Sequence, residues 1–180
     1  MAKFYTELDN SLRRFIAEQK IFFTASAPND GRVNLSPKGM DSFRCLDRKT
    51  VAYLDLTGSG NETAAHLLEH NRITLMFCAF EGKPNIVRLY GKAYVYHQKD
   101  VQWDELIHLF PQLPGSRQII DVQVELVQSS CGMAVPFMAY QGEREELRYW
   151  AEKQGEERLK EYRERKNTVS LDGKPTGIQS

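Results

Sequence analysis

The chain has 180 residues, and 24 Lys and Arg against 24 Asp and Glu leave no formal net charge. That length suits one domain with a real core, and a 41% hydrophobic share with 11% aromatics excludes a disordered chain. Electroneutrality excludes a general polyanion binder, which draws on excess Lys and Arg, while leaving room for a local basic patch that holds one small anion.

Leu8, Leu12, Phe15 and Ile16 recur at helical spacing and predict an amphipathic helix over 6–19. Ile21-Phe22-Phe23-Thr24-Ala25 reads as a strand, Pro28-Asn29-Asp30-Gly31 as a turn, and Arg32–Ser36 as an alternating half-buried strand, together a hairpin. Val51–Leu56 is a further strand, followed by Thr57-Gly58-Ser59-Gly60-Asn61-Glu62 and a short helix over Thr63–His70. Arg72–Phe80 is a strand and Glu81–Pro84 a turn. Ile86–Tyr96 is a long strand with Val87, Leu89, Gly91, Ala93 and Val95 on one face. Val101–Phe110 reads as a short helix closed by Pro111 and Pro114, and Arg117–Ser129 as the last strand. Six strands joined by short turns point to a mainly β, antiparallel barrel rather than a doubly wound sheet.

The composition changes after Gly142. Residues 143–166 hold eight acidic and eight basic side chains with Leu147, Trp150, Leu159 and Tyr162 as apolar anchors. This reads as a solvated helix broken at Gly155, with Trp150 packing it onto the barrel, and 167–180 as a tail. The expected organisation is a domain over 1–141 and a charged helix and tail over 142–180 packed on it. Cys45, Cys78 and Cys131 form no C-x-x-C, and the N-terminus lacks an apolar signal core, so the expectation is a reduced cytoplasmic protein. The apolar run Ile73–Phe80 is too short to span a bilayer.

The most informative segment is Leu56–Thr63, which joins a strand to a helix through Gly58 and Gly60. Unpaired first-turn N–H groups and the helix dipole suit a phosphate there, with Asn61 and Thr63 as added donors. The same residues spell a capping box, Ser59-x-x-Glu62, which satisfies those N–H groups without a ligand; both readings stand. Upstream, Asn34, Ser36 and Lys38 alternate, so one strand face offers an amide, a hydroxyl and an ammonium to a planar heterocycle, or simply to solvent. Residues 31–50 hold Arg32, Lys38, Arg44, Arg48 and Lys49 against Asp41 and Asp47, a local excess of three positive charges.

Taken in order, Gly31-Arg32-Val33-Asn34-Leu35-Ser36-Pro37-Lys38-Gly39, Val51–Leu56, Gly58-Ser59-Gly60-Asn61-Glu62-Thr63-Ala64-Ala65-His66-Leu67, Arg72–Phe80 and Arg88-Leu89-Tyr90-Gly91-Lys92 resemble the pyridoxamine 5′-phosphate oxidase family of flavin-binding split barrels. The resemblance covers roughly half the chain, about residues 11–97. It implies a six-stranded antiparallel split β-barrel (α+β) with short flanking helices, working as a homodimer with FMN at the interface. Some relatives use deazaflavin or haem instead. It implies that Asn34, Ser36, Pro37 and Lys38 line the flavin ring edge, that Ser59, Asn61, Glu62 and Thr63 surround the ribityl phosphate, and that Arg88 reaches phosphate from either subunit. The vitamin-processing oxidases carry Ser-Arg-Lys where this chain has Gly60-Asn61-Glu62, so the likeness is to the family and not to pyridoxamine phosphate oxidase itself. The implied function is an FMN-binding flavoprotein, an oxidoreductase acting with a small-molecule substrate or reductant, without nucleic acid or membrane. The alternative is a non-catalytic flavin or haem carrier or sensor.

Other candidates are weaker. His66 and His70 are four apart on one helix, but the H-E-x-x-H order is absent and no third ligand is evident, so they read as surface histidines. His97 and His108 show no partner. Cys131 beside Gly132 reads as a small packed hydrophobe or a reactive thiol.

Overall fold

The computed structural model describes residues 2–178. Its strands are β1 (Lys3–Tyr5), β2 (Phe22–Ser26), β3 (Asn34–Lys38), β4 (Phe43–Cys45), β5 (Thr50–Leu56), β6 (Arg72–Cys78), β7 (Ile86–His97) and β8 (Ser116–Ser130). The helices are α1 (Asn10–Glu18), α2 (Glu62–Glu69), α3 (Val101–Leu106) and α4 (Glu146–Lys166), with a 3₁₀ turn over Ile107–Leu109. All pairings are antiparallel, in the order β3-β2-β6-β7-β8-β5-β4, with β1 added to β8.

The sheet has eight strands rather than the expected six. The two extra ones, β1 and β4, have three residues each, too few for period-2 alternation to register in a sequence. The sheet curls into a split half-barrel, so that edge strand β3 faces β5 across the open side. Within it lies a core of Leu8, Phe22, Tyr53, Leu75, Phe77, Leu89 and Ile120 with their neighbours. Phe43 packs edge-on against Phe22 and Phe77 at 5.1 and 5.0 Å between ring centroids. Burial of each such side chain contributes about 1.5–3 kcal/mol. A smaller cluster of Ala52, Leu54, Trp103, Phe110 and Ile119 packs α3 onto the other face of β5.

Gly91 marks a bulge where the β7–β8 register shifts, and a Cβ there would fall 2.1 Å from the Gln123 carbonyl oxygen. Gly155, at φ 69°, breaks α4 as expected. Of the expected anchors of α4, Leu159 is buried, together with Ala151 and Arg163, while Trp150 packs edge-on against Tyr162 of the same helix at 5.2 Å. The chain beyond α4 is no loose tail. Val169 bridges Pro175, and Asn167 and Thr176 are fully buried, because their polar groups find partners deep in the fold. No helix among the described residues is long and apolar enough to cross a membrane.

Candidate functional site

The site begins with parity on β3. Antiparallel pairing sets Asn34, Ser36 and Lys38 opposite Ser26, Thr24 and Phe22, whose side chains are buried, so these three face inward. Leu35 and Pro37 face outward. Asn34 Nδ2 donates to Thr63 Oγ1 on α2 at 3.1 Å, and Ser36 Oγ donates to Asn34 Oδ1 at 3.2 Å. Lys38 Nζ donates to Asp55 Oδ1 on β5 at 2.5 Å. The inner face of β3 is therefore one wall of a cleft whose other wall is α2 and the end of β5.

Asp55 is the hub. Arg117, at the start of β8, donates to Asp55 Oδ2 through Nε at 3.0 Å and Nη2 at 2.8 Å, and Gln118 Nε2 adds a bond of 2.9 Å. Burial pushes the Asp55 carboxyl up, but the charges and hydrogen bonds of Arg117 and Lys38 outweigh it and hold the group well below the usual carboxylate range. Two cations share one carboxylate, which leaves a single positive charge on the trio. Arg117 is buried and its donors are occupied by Asp55, Gly60 O and Asn167. The free donor capacity therefore belongs to Lys38, whose ammonium has three N–H groups.

The strand-to-helix loop is drawn into the same network. Arg117 Nη1 donates to Gly60 O at 2.8 Å, and Asn167 Nδ2 donates to Gly58 O at 3.0 Å. Asn61 is buried against Gln118, whose Nε2 donates to Asn61 Oδ1 at 2.7 Å. With both glycine carbonyls held, the backbone N–H groups from Gly58 to Ala64 have no acceptor among the described residues. This is the arrangement that receives an anion at a helix N-terminus. The capping box does not form: α2 starts at Glu62 with Asn61 as its N-cap, and no side chain caps it.

Glu62, an acid where a phosphate is expected, is turned back. Its carboxylate lies over Gly60, where a Cβ would sit 2.5 Å from both oxygens, and it accepts the Leu171 N–H at 3.3 Å. Ser59 is exposed at the loop tip. Pro37 and Arg88 lie on the opposite face of the sheet: Pro37 pairs with Phe23, Phe23 with Met76 and Met76 with Arg88, three strand spacings or about 14 Å away. Arg88 there donates to Ser130 Oγ at 3.3 Å. The structure thus brings together Asn34, Ser36, Lys38, Asn61 and Thr63, and separates Pro37 and Arg88 from them. A groove of about 1000 Å³ opens beside the end of β3, lined by Pro37, Lys38, Phe23, Phe80, Met138 and Leu147, a volume suited to a small molecule.

Sequence reasoning missed Asp55, Arg117, Gln118 and Asn167. Asp55 left a signal, since an acid inside Val51-Ala52-Tyr53-Leu54-Asp55-Leu56 must find a cation when the strand is buried; the other three left none. The local positive excess is also met from outside the segment: Arg32 pairs with Asp172, Lys38 with Asp55 and Arg48 with Glu7. His66 is buried rather than on the surface, with Nδ1 2.9 Å from Ser26 Oγ, and burial lowers its pKa. No cluster of three or more potential metal ligands occurs among the described residues.

The sequence profile of the pyridoxamine 5′-phosphate oxidase family matches residues 8–131. A pyridoxamine 5′-phosphate oxidase family protein of Aspergillus flavus, ustO, is 38% identical, with 100% of this chain and 79% of that protein covered. Among solved structures, HupZ of Group A Streptococcus superposes with a TM-score of 0.52 at 19% identity, covering 66% of this chain and 91% of HupZ. The FAD binding protein of Mycobacterium smegmatis gives 0.50 at 12% identity, covering 70% and 97%. By the family profile over residues 8–131 and the full-length relative, the chain belongs to the pyridoxamine 5′-phosphate oxidase family.

Proposed function

We propose that this protein is an FMN-binding flavoprotein, an oxidoreductase acting on a small molecule, and that it works as a homodimer with the cofactor at the interface. The observation that carries the reading is the run of backbone N–H groups from Gly58 to Ala64 without acceptors among the described residues, on the loop that follows β5, whose Asp55 holds Lys38. A mononucleotide phosphate fits that donor set: fixed N–H dipoles, the Thr63 hydroxyl and one residual positive charge. When bound, a flavin supplies reversible electron and hydride transfer.

The chain's own part is binding, orientation and electrostatics. Asn34 and Ser36 are locked to each other and to Thr63, so they present a rigid polar wall. Lys38 is aimed by Asp55 and retains donors for an electron-rich acceptor atom. The groove beside Pro37 and Lys38 gives space to a second reactant. A flavin is also what the Mycobacterium smegmatis neighbour binds by name.

The carrier or sensor reading has one observation in its favour: the buried acid of the cleft, Asp55, is ionised and fully hydrogen-bonded, and so is no proton shuttle near neutrality. Haem suits the cleft less well than flavin, because His66 is buried and engaged with Ser26. The test is the absorption spectrum and released-cofactor mass of purified protein, followed by addition of NADH or NADPH. A flavin spectrum bleached by either nucleotide supports the oxidoreductase. A bound flavin that neither reduces supports the carrier, and protein that neither holds nor takes up FMN overturns both. Lys38→Ala is expected to weaken FMN binding about tenfold.

A further inference from the structure

The segment that follows α4 reaches the glycine loop, Arg117, both ends of α2 and the residues before β3. Asn167 is fully buried; its Oδ1 accepts from Arg117 at 2.9 Å, its Nδ2 donates to Gly58 O at 3.0 Å, and its own carbonyl accepts from Thr176 Oγ1 at 2.5 Å. Leu171 N–H holds the Glu62 carboxylate, Asp172 pairs with Arg32 at the entry to β3, and Lys174 pairs with Glu69 at the far end of α2. The segment is folded on itself by the Val169–Pro175 bridge and by Thr176 N–H donating to Thr168 O at 3.0 Å.

These bonds act on the loop in two ways. Each peptide has a donor and an acceptor on opposite sides, so fixing the Gly58 and Gly60 carbonyls from Asn167 and Arg117 fixes where the neighbouring N–H groups point. Glycine has the widest backbone freedom, and a loop of Gly58-Ser59-Gly60 left to itself would sample many such orientations. Separately, the Leu171 N–H gives the Glu62 carboxylate a partner in the C-terminal segment. Without that partner, the acid would compete for the donors that an anionic ligand needs.

We propose that the C-terminal segment Asn167–Thr176 is part of the phosphate site, with Asn167 and Arg117 as positioning residues that orient the loop N–H groups toward the ligand. This rests on the FMN reading above. It assigns a role to residues that lie 50 or more positions from the loop in sequence and make no contact with the ligand themselves. The fixed loop is preorganised, so the ordering entropy is met on folding and not on binding.

The consequence is specific to the phosphate. Full-length apo protein is titrated with FMN and with riboflavin, which differ only in that group, by flavin fluorescence. Wild type is expected to prefer FMN. Asn167→Ala should weaken FMN about tenfold and leave riboflavin within about twofold, so that the preference collapses. Thr176→Val, a milder change that removes only the hydroxyl bonded to the Asn167 carbonyl, should weaken FMN about threefold with riboflavin unchanged; it carries the test if Asn167→Ala does not fold. An equal loss for both flavins, or an unaltered preference in the variants, overturns the positioning role and leaves the cofactor reading intact. Wild type that binds neither flavin, or binds both equally, overturns the phosphate reading and this inference with it.

Discussion

Lys38 Nζ on the edge strand β3 lies 2.5 Å from Asp55 Oδ1 on β5, an ion pair that spans the open side of the half-barrel. Asp55 meets Arg117 from the other side at 2.8 Å. One buried carboxylate thus ties the inner face of edge strand β3 to the strand that leads into the glycine loop.

Removing that carboxylate leaves a buried guanidinium without its counter-charge. Asp55→Ala is expected to destabilise the fold by about 3–5 kcal/mol in urea unfolding at pH 7. The acid dependence has a definite sign. The folded-state pKa of Asp55 is depressed, so its contribution is complete above the unfolded carboxylate value of about 4 and is lost as the pH falls toward the lower folded value. Asp55→Asn should flatten the loss of stability below pH 4. An unfolding profile in acid that matches wild type would show that the pair carries no such linkage.

Gly91 is the position at which backbone, not side chain, sets the limit. A Cβ there would meet the Gln123 carbonyl oxygen at 2.1 Å, and neither β7 nor β8 can move without breaking its ladder. Gly91→Ala is expected to cost roughly 3 kcal/mol, read from chemical denaturation. Gly60→Ala is the contrast. The nearest atoms to its Cβ are the carboxylate of Glu62, the far end of a flexible side chain that can shift aside, so the change should fall below about 1 kcal/mol.

The outer face of the sheet carries a row that crosses five strands: Leu35, Ala25, Thr74, Tyr90 and Leu126 are successive cross-strand partners. Leu35 is 65% exposed and Leu126 37% exposed on this face. We place the contact of the proposed homodimer on this exposed apolar row, so charges there should break it. Leu35→Asp combined with Leu126→Asp is expected to convert the protein from twice the single-chain mass to one in light scattering, with the single chain still folded by circular dichroism. A wild-type protein that is already monomeric at micromolar concentration would remove the dimer from the proposal.

How much of this was legible in the sequence follows from the range of each interaction. Parity on one strand is local, so the alternation Asn34, Ser36, Lys38 placed all three on a common face, while Pro37, grouped with them by the family resemblance, lies on the other. The two glycines between an apolar strand and a helix likewise announced the loop, but Ser59-x-x-Glu62 left undecided whether its N–H groups are capped until the structure showed that they are not. Short elements without a full period, β1 and β4, were silent.

Charge was the least legible quantity. By sequence the hairpin region is positive by three, yet Arg32, Lys38 and Arg48 are met by Asp172, Asp55 and Glu7, acids far away in the chain. Likewise Asn167, one of 14 residues that read as a tail, sits fully buried at the base of the loop. The sequence by itself determined which residues share a strand face and where a glycine loop joins strand to helix, because those depend on periodicity and on residues a few positions apart. The tertiary structure alone decided which charges remain available and which way the loop peptides point, because a buried ion pair or a held carbonyl depends on distance in space, and the chain brings Asp55, Arg117 and Asn167 together only when it folds.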